Sequence, residues 1–304
     1  MFIFKKVIRN LNPFFLRKKF LIRKLLKQKE MPDEEYLKKM FKYKMGYELD
    51  LTNPKTFNEK LNYLKLHNRN PLFTKMVDKH DVKEYVSSII GKEYIIKELG
   101  VFNNTSEINL ENLPNEFAMK TTHGSGGVVV CKDKTKLNWK QIFENFDESL
   151  KRNYYFSFRE WPYKDIKPRI IIEELMSDGK NDVLPVYKFF CFDGKPVLLQ
   201  AIKNDKMPNE TIDYFDMDWN LLKLTQNFKN SKKPLEKPVT FEEMKEIAAK
   251  LSKGFLFIRV DLYLINGRTY FSEFTFYSDA GVEKFHPSDW DLKLGNLIKI
   301  PELK

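Results

Sequence analysis

The chain has 304 residues, of which 42% are hydrophobic and 14% aromatic, and its formal net charge is +11. This composition excludes a disordered chain, and the length allows either one large domain or a few lobes in close contact. The two cysteines and four scattered histidines argue against a disulfide framework and offer no spacing typical of a zinc site.

The positive charge is concentrated at the N-terminus. The first 29 residues hold ten Lys or Arg and no Asp or Glu, whereas the rest of the chain holds 43 basic and 42 acidic residues. Phe, Ile and Leu recur there at helical spacing, and the uncharged run 10–16 is much too short to span a bilayer. We therefore expect residues 1–30 to form a basic amphipathic arm on the inner face of the cytoplasmic membrane, in a chain that is otherwise cytoplasmic. A helix docked on the protein itself is the alternative, and a nucleic-acid contact is the least favoured of the three.

Residues 31–112 show mainly helical patterns. The segment "PDEEYLKKMFKYKMG" carries its apolar residues on one face and ends at a glycine. The segment "TFNEKLNYLKLH" opens with Thr56 and Glu59 at the spacing of a capping box. The segment "TKMVDKHDVKEYVSSIIG" predicts one further helix, which stops at Gly91.

From about residue 112 the pattern changes to short runs of β-branched and aromatic residues separated by turn residues. The tripeptide "FDG" at 192–194 predicts a hairpin between two apolar runs, and Asn266-Gly267 predicts another. Between these hairpins, "FEEMKEIAAKLSKG" predicts a single helix. Residues 227–239 are polar and contain prolines, which indicates a surface loop.

The stretch "FAMKTTHGSGGVVV" places three of the chain's 12 glycines within four positions, soon after Lys120. Glycine lets the backbone approach a ligand closely and adopt positive φ, and successive N–H groups in such a loop form a site for an anion. The lysine adds a positive charge beside them. The pattern favours a phosphate-binding loop between two strands, and a glycine-rich hairpin that binds nothing is the alternative.

The C-terminal hairpin carries a second cluster of charged residues. Arg259 and Asp261 lie two positions apart and therefore on one face of their strand, and Glu273 falls nearly opposite Asp261 across the turn. Two carboxylates in apolar surroundings favour a bound cation, and oxygen ligands of this kind suit Mg²⁺ held together with substrate phosphates. The alternative is a cross-strand acid pair with Arg259 as its counterion.

Taken in chain order, these pieces resemble the ATP-grasp fold and, more closely, the TupA-like ATP-grasp family. The resemblance rests on "TFNEKLNYLKLHNRNPLFTKMVDKHDVKEYV", "LPNEFAMKTTHGSGG", "REWPYKDIKPRIIIEEL", "YKFFCFDGKP", "FDMDWNLL", "LSKGFLFIRVDLY", "YFSEFTF" and "DLKLGNL", and it covers about residues 35–300. It implies an α+β fold in which two lobes clamp ATP. The small lobe, 113–176, would hold the glycine-rich loop, and the large lobe, 177–304, the metal-binding hairpin; the helical region 31–112 would precede them.

The resemblance also implies roles for individual residues. ATP would be bound by the residues Lys120, His123, Gly124, Ser125, Gly126, Gly127, Glu173, Glu174, Leu175 and Lys188. Arg259 would be the catalytic residue that stabilises the transferring phosphoryl group, and Mg²⁺ would be bound by Asp261, Glu273 and Thr275. Many ATP-grasp enzymes have Glu-x-Asn at this last position, whereas this chain has Glu273-Phe274-Thr275.

The activity implied by the resemblance is that of an ATP-dependent carboxylate–amine ligase that works through an acyl phosphate. The family is associated with bacterial cell-surface polysaccharide and teichuronopeptide synthesis. By analogy, the carboxylate would belong to a uronic acid in a glycan or in a nucleotide- or lipid-linked sugar, or to an acidic peptide, and the amine to an amino acid. Arg159, Trp161 and Arg169 are candidates for binding this acceptor, because an arginine fork suits a carboxylate and a tryptophan face suits a sugar ring.

Two other functions are alternatives to a ligase. Asp216 and Asp218 have the Asp-x-Asp spacing by which a glycosyltransferase holds a metal and a nucleotide sugar. A non-catalytic scaffold that retains the fold is the second. A ligase would have Asp261 and Glu273 beside the glycine loop, whereas a glycosyltransferase would have Asp216 and Asp218 there. ATP turnover would distinguish a ligase from the non-catalytic scaffold.

Overall fold

The computed structural model describes residues 30–179 and 183–300, so the basic arm lies outside the described residues except for its last position. Within these residues, no helix is long and apolar enough to cross a membrane. Two antiparallel sheets, of four and five strands, form the body of the chain together with the helices that cover them.

Four helices precede the first sheet: α1 (Asp33–Met45), α2 (Phe57–His67), α3 (Leu72–Val77) and α4 (Asp81–Ile90). The predicted end of α1 is confirmed, since Gly46 adopts a left-handed φ of 88°. The predicted capping box is also confirmed. The backbone N–H of Glu59 donates to the Thr56 hydroxyl at 3.2 Å, and the Thr56 N–H donates to the Glu59 carboxylate at 2.9 Å.

The predicted helix stop at Gly91 is confirmed, since α4 ends at Ile90 with Gly91 as its C-cap. The segment 74–91 is not one continuous helix, however, because the chain turns at Asp78 between α3 and α4. One carboxylate oxygen of Asp78 accepts the backbone N–H groups of His80 (2.8 Å) and Asp81 (3.0 Å). A short acidic side chain that bonds nearby N–H groups in this way competes with a continuous helix and favours a turn.

The small sheet has the strand order β1-β4-β2-β3 and consists of β1 (Glu98–Phe102), β2 (Phe117–Thr121), β3 (Val128–Cys131) and β4 (Ile170–Glu174). The helix α5 (Trp139–Leu150) packs on it through Phe146, against buried residues such as Phe117 and Ile172. The strand β1 lies within the range whose pattern predicted helices. Its register shifts between Glu98 and Gly100, so the apolar and polar residues do not alternate regularly along the strand.

The large sheet has the strand order β7-β6-β5-β8-β9 and consists of β5 (Val186–Phe192), β6 (Lys195–Lys203), β7 (Thr211–Phe215), β8 (Ile258–Ile265) and β9 (Arg268–Thr275). Both predicted hairpins are confirmed. Asp193-Gly194 joins β5 to β6 and Asn266-Gly267 joins β8 to β9, and all four turn residues have positive φ, as this class of tight hairpin turn requires. The predicted helix is present as α7 (Phe241–Ser252) and packs on β5, β6 and β8.

A turn at 278–281 completes the surroundings of the site, because α2 holds it beside the large sheet. Asp279, Ala280 and Gly281 all adopt left-handed φ, at 48°, 54° and 60°. The side chain of Asn62 donates to the Gly281 carbonyl at 2.7 Å, and the Lys65 ammonium donates to the Ala280 carbonyl at 2.8 Å. A Cβ at Gly281 would lie 2.9 Å from the Asn62 nitrogen, so glycine fits this close approach. The short helices α6 (Tyr155–Phe158) and α8 (Asp289–Gly295) complete the described α-helices.

Candidate active site

A cavity of about 350 Å³, which we call the apolar cavity, lies between the two sheets. Aliphatic residues of β2 and β3 line it on one side, and Val186 and Tyr263 of the large sheet line it on the other. Residues 173–177, at the end of β4, also line it. Apolar walls with the polar backbone of a chain segment at one edge suit a flat, mainly apolar ring that also forms hydrogen bonds.

A second cavity of about 380 Å³, the polar cavity, is lined by the glycine loop and by the charged face of the large sheet. Gly124 and Ser125 belong to the loop, while Lys188, Arg259 and Glu273 belong to β5, β8 and β9. Strand β5 lines both cavities, with Val186 in the apolar one and Lys188 in the polar one. The two residues lie two positions apart and therefore face the same side of the strand. A single elongated ligand can therefore place an apolar group in one cavity and an anionic group near the other.

Lys120 is positioned by an ion pair with Glu173. The Lys120 ammonium lies 2.7 Å from one carboxylate oxygen of Glu173, and Lys83 of α4 binds the other oxygen. Burial raises the pKa of the Glu173 carboxyl, but the two lysines outweigh it and hold this pKa below its ordinary value. Glu174, the next residue, points to the opposite face of the sheet and pairs with Lys97 at 2.9 Å. Of the two acids, Glu173 is therefore the one that fixes a cation in the apolar cavity.

The glycine loop connects β2 to β3. Residues 125–127 are exposed, and Gly126 and Gly127 have φ of 96° and 62°, which side-chain-bearing residues rarely adopt. Gly124 is buried, and a Cβ there would approach Tyr154 to 3.1 Å. Each glycine thus has a conformational or steric requirement, which supports a loop built to bring its backbone close to a ligand.

The side chains of Lys79 and His123 hold the first part of this loop in place. Lys79, between α3 and α4, donates to the Gly124 carbonyl. The ring of His123 lies 3.2 Å from the Ser149 carbonyl of α5, and its burial lowers its pKa. His123 is thus directed toward α5, so its predicted contact with ATP is not supported by its position.

The β8–β9 hairpin brings the predicted charged residues together. Asp261 and Glu273 are register partners, which confirms that the two carboxylates are opposed. The Arg259 guanidinium binds both carboxylate oxygens of Asp261, at 2.7 and 2.8 Å. It also donates to the hydroxyls of Thr275 (3.0 Å) and Ser278 (3.2 Å). Burial lowers the pKa of Arg259, but Asp261 outweighs this and raises it, so the guanidinium stays charged at the wall of the cavity.

Glu273 differs from Asp261 in having no direct partner among the described residues. Within residues 30–179 and 183–300, its carboxylate has no hydrogen bond or ion pair, although it lines the polar cavity. Burial raises its pKa, but the nearby cations Lys79, Lys188 and Arg259 outweigh burial and lower it. The carboxylate is therefore ionised and available to a ligand. The surrounding positive charge also favours an anionic ligand such as a phosphate.

The three candidate acceptor-binding residues lie elsewhere. Arg159 is 2% exposed, lies 3.2 Å from Asp33, and is stacked over the ring of Tyr36. The Trp161 indole donates to the Asn68 carbonyl, and its ring lies beside that of Phe73.

Arg169 pairs with Asp78 and Asp81, at 3.1 and 2.8 Å. None of the three lines either cavity, so each has a structural contact in place of the predicted one.

The Asp-x-Asp pair does not lie beside the glycine loop. The carboxylate of Asp216 accepts the backbone N–H groups of Asp218 (2.9 Å) and Asn220 (2.8 Å), and so closes the turn after β7. Among the described residues, the acids that share a cavity with the loop include Glu273, and neither Asp216 nor Asp218 lines that cavity. This placement favours the nucleotide site over the glycosyltransferase alternative.

The polar cavity also contains residues that sequence reasoning missed. Among those that line it are Tyr154, Glu160, Tyr163 and Lys206, and Lys79, outside the lining, reaches the loop beside it. Glu160 and Tyr163 lie within "REWPYK", the segment in which sequence reasoning singled out Arg159 and Trp161 instead. Nothing in the spacing of Lys79 or Lys206 marked them.

A family model described as "TupA-like ATPgrasp" matches residues 59–299. The chain belongs to the TupA-like ATP-grasp family. The predicted α+β ATP-grasp fold, with a helical region before the two sheets, is thereby confirmed. A comparison with curated proteins gives no match.

Solved structures of low similarity include three kinds of ligase. A D-alanine–D-alanine ligase from Helicobacter pylori is 15% identical, over 82% of this chain and 70% of that one, with a TM-score of 0.44. An L-amino acid ligase from Bacillus licheniformis is 13% identical, over 83% and 57%, with a TM-score of 0.46. The ligase PsnB with its minimal precursor is 10% identical, over 68% and 54%, with a TM-score of 0.39. The chain thus spans little more than half the length of the last two, and this degree of similarity does not transfer a substrate.

The donor set of the TupA-like ATP-grasp site fits Mg²⁺ that is shared with phosphate oxygens. Within the described residues, no group of three or more His, Cys, Asp or Glu side chains is arranged to hold a metal ion. The unpartnered carboxylate of Glu273 is suited to be the main protein ligand, since Mg²⁺ is usually bound by one or two carboxylates and substrate phosphates. Asp261 keeps lone pairs beyond the two that accept from Arg259, whereas Thr275 already accepts one Arg259 bond.

Proposed function

We propose that this chain is an ATP-dependent carboxylate–amine ligase that works through an acyl phosphate. The observation that carries the proposal is the pair of cavities sharing β5 and β8, one apolar and one rich in cations, with the glycine loop at their junction. The family match supports ATP as the nucleotide. The substrates are proposed from the chemistry below.

The apolar cavity is proposed to hold the adenine ring of ATP. Val186, Tyr263 and the aliphatic side chains of β2 and β3 supply the walls. The backbone of Glu174 and Leu175 supplies polar groups at the edge, as expected for a segment that recognises an exocyclic amine. Lys120 is held at this site by Glu173 and would neutralise a phosphate.

The phosphates are proposed to extend toward the polar cavity. The backbone of residues 124–127 and the ammonium of Lys188 would bind them, and Arg259 would face the phosphoryl group in transfer. Mg²⁺, bound by Glu273 with Asp261, would neutralise the phosphate charge that develops during the transfer. Arg259 is fixed by four hydrogen bonds, so it would stabilise that charge without reorganising.

The proposed reaction has two steps. A substrate carboxylate attacks the terminal phosphorus of ATP, which gives an acyl phosphate and ADP. An amine then attacks the acyl carbon, which gives an amide and inorganic phosphate. The chain supplies positioning and charge for both steps and needs no nucleophile of its own.

The carboxylate is proposed to be that of a uronic acid, in a glycan or a nucleotide- or lipid-linked sugar, or of an acidic peptide, and the amine that of an amino acid. The support is the family membership together with a cavity of about 380 Å³ whose lining combines lysines, acids and tyrosines. The arm 1–29 is proposed to bring the chain to the cytoplasmic face of the membrane, on the support of its ten basic residues and absent acids. We do not propose a nucleic-acid partner, because the rest of the chain is nearly neutral.

Phosphate release from Mg-ATP tests the activity. The purified full chain is supplied with D-glucuronate or D-galacturonate and with each standard amino acid in turn. We expect release only when both partners are present, and its loss in Glu273→Gln. Asp216→Asn serves as the matched control, because it removes a carboxylate charge from the turn after β7 and should leave release unchanged.

A first measurement on the same samples separates binding from turnover. Mg-AMPPNP should raise the melting temperature of the wild type, and Lys120→Ala should reduce this stabilisation. If no nucleotide stabilises the chain, the ATP site is refuted. If the nucleotide binds but no acceptor pair gives release, the ATP site stands and the substrate class proposed here is refuted.

A further inference from the structure

Glu160 is a buried carboxylate in the wall of the polar cavity. The residue is 6% exposed and lies between α6 and β4. Within the described residues, its carboxylate has no hydrogen bond or ion pair, and its only electrostatic partners act at longer range. A buried carboxylate without a hydrogen bond is costly, so its retention beside a cavity requires an explanation.

The nearest cations of the chain are directed to other acceptors. The Lys65 ammonium donates to the carbonyls of Phe158 (3.0 Å) and Ala280 (2.8 Å). Arg259 binds Asp261 with two of its nitrogens and has hydroxyl partners besides. The described part of the chain therefore supplies no direct counterion for the Glu160 carboxylate, and this residue lines the cavity in which a ligand could bind.

The groups around Glu160 are suited to a cation from outside. The charged and titratable groups that face it are Lys65 of α2, Arg259 of β8, Glu273 of β9, Asp279 of the 278–281 turn, and the tyrosines Tyr154, Tyr163 and Tyr277. All three of these tyrosines line the polar cavity, and aromatic rings stabilise a nearby cation.

We propose that Glu160 binds the amine substrate as its ammonium ion and accepts a proton from it. The proposal rests on the ligase activity proposed above and names the residue that recognises its second substrate. An ammonium ion is the smallest cation that an amino acid offers, and a charged hydrogen bond to a carboxylate gives both affinity and selection against neutral groups.

In the proposed step, Glu160 accepts the proton that the ammonium ion must lose before its nitrogen can attack. An ammonium nitrogen has no lone pair, so it first gives one proton to the Glu160 carboxylate. The neutral amine then forms the C–N bond as the C–O bond between the acyl carbon and phosphate breaks. The second proton leaves the nitrogen with the departing phosphate, and Glu160 returns its proton to solvent when the product leaves.

The test measures amine binding apart from turnover. Full-length protein saturated with Mg-AMPPNP is screened by thermal shift with each of the 20 standard amino acids, with and without D-glucuronate, and the strongest binder is titrated by calorimetry. Glu160→Gln keeps the size of the side chain and removes its charge. Glu160→Asp keeps the charge, and Glu283→Gln removes another acid of the same cavity as a control.

We expect Glu160→Gln to weaken the amine by about tenfold to a hundredfold, in line with loss of a charged hydrogen bond, and to leave nucleotide affinity within about twofold. Glu160→Asp should retain part of the affinity, and Glu283→Gln should retain nearly all of it. Wild-type affinity for the amine should also fall as pH decreases through about 7. Burial raises the pKa of Glu160 to about 7, against the attraction of Lys65 and Arg259, so the carboxylate becomes protonated below that pH. This decrease should be absent in Glu160→Gln.

Two results would overturn the inference. Equal amine affinity in the wild type and Glu160→Gln would show that another group binds the ammonium. If no amino acid binds the nucleotide-saturated wild type, the preformed ammonium site does not exist. Nucleotide stabilisation is recorded in the same samples, so a failure of the ATP site is seen separately from a failure of Glu160.

Discussion

The β8–β9 hairpin and the segment 159–169 both carry charged residues with a predicted role, but only the hairpin places such residues, Arg259 and Glu273, in the lining of the polar cavity. In the hairpin, the tight turn at Asn266-Gly267 fixes the register and side chains alternate between faces, so spacing determines direction. In the segment, Arg159 has a left-handed φ of 55° and turns into the protein toward Asp33. Spacing therefore predicts the direction of a side chain in a regular element but not in an irregular one.

The largest effect is expected for the unpartnered acid of the hairpin. Glu273→Gln removes the carboxylate that faces the proposed phosphates and should reduce ATP turnover by about a hundredfold or more, since a single electrostatic group of this kind contributes that much. Its melting temperature should not fall, because no ion pair is lost within the described residues. Steady-state turnover and thermal unfolding measure the two effects. Asp216→Asn, which removes a carboxylate from the turn after β7, is the control. Equal turnover in both variants would contradict the account.

The next effect separates charge from geometry at Arg259. Arg259→Lys keeps a positive charge but cannot reproduce the two bonds to Asp261 together with those to Thr275 and Ser278. We expect the free energy of unfolding to fall by about 3 kcal/mol, as when a buried pair is broken, and turnover to fall as well. Denaturant unfolding and kinetics on the folded fraction measure both. A variant with normal stability and normal turnover would show that Arg259 has neither role.

A smaller, purely structural effect is expected in the segment. Arg159→Met should lower the free energy of unfolding by about 2 kcal/mol, less than for a fully buried pair because Asp33 keeps part of its solvent contact. Turnover per folded molecule should be unchanged. If KM for the carboxylate substrate rises instead, Arg159 contacts the acceptor after all.

The smallest effect is expected for Arg169→Gln. The side chain pairs with Asp78 and Asp81, but only its backbone carbonyl, which accepts from Thr122 at 2.9 Å, contacts the glycine loop. Because the substitution leaves that carbonyl in place, we expect a loss of about 1 kcal/mol in stability and little change in turnover. A large rise in KM for ATP, measured at constant Mg²⁺, would show that the ion pair also positions the loop.

Regular local signals explain what could be predicted. The Thr56–Glu59 capping box, the two hairpin turns and the alternation of Arg259 and Asp261 each depend on neighbours in sequence, so the sequence reveals them. The split at Asp78 was missed because a side-chain bond to the backbone competes with the helical periodicity around it. The helix α5 was missed as well.

Long-range contacts explain the rest. Lys79 reaches Gly124 across 45 positions, and the burial of Glu160 depends on α2, β8 and the 278–281 turn coming together. Residue spacing in the sequence does not predict these long-range contacts. The sequence therefore predicts which segments form the candidate site, whereas the side chains that line it depend on tertiary contacts.

The most direct test of the central claim is trapping of the acyl phosphate. The wild type is incubated with Mg-ATP, D-glucuronate or D-galacturonate, and hydroxylamine in place of the amino acid, and the hydroxamate is quantified. The account predicts hydroxamate that requires ATP and is lost in Glu273→Gln. ATP consumption that depends on the sugar but gives no hydroxamate, or a phosphate ester on a sugar hydroxyl, would show that no carboxylate is activated and would contradict the account.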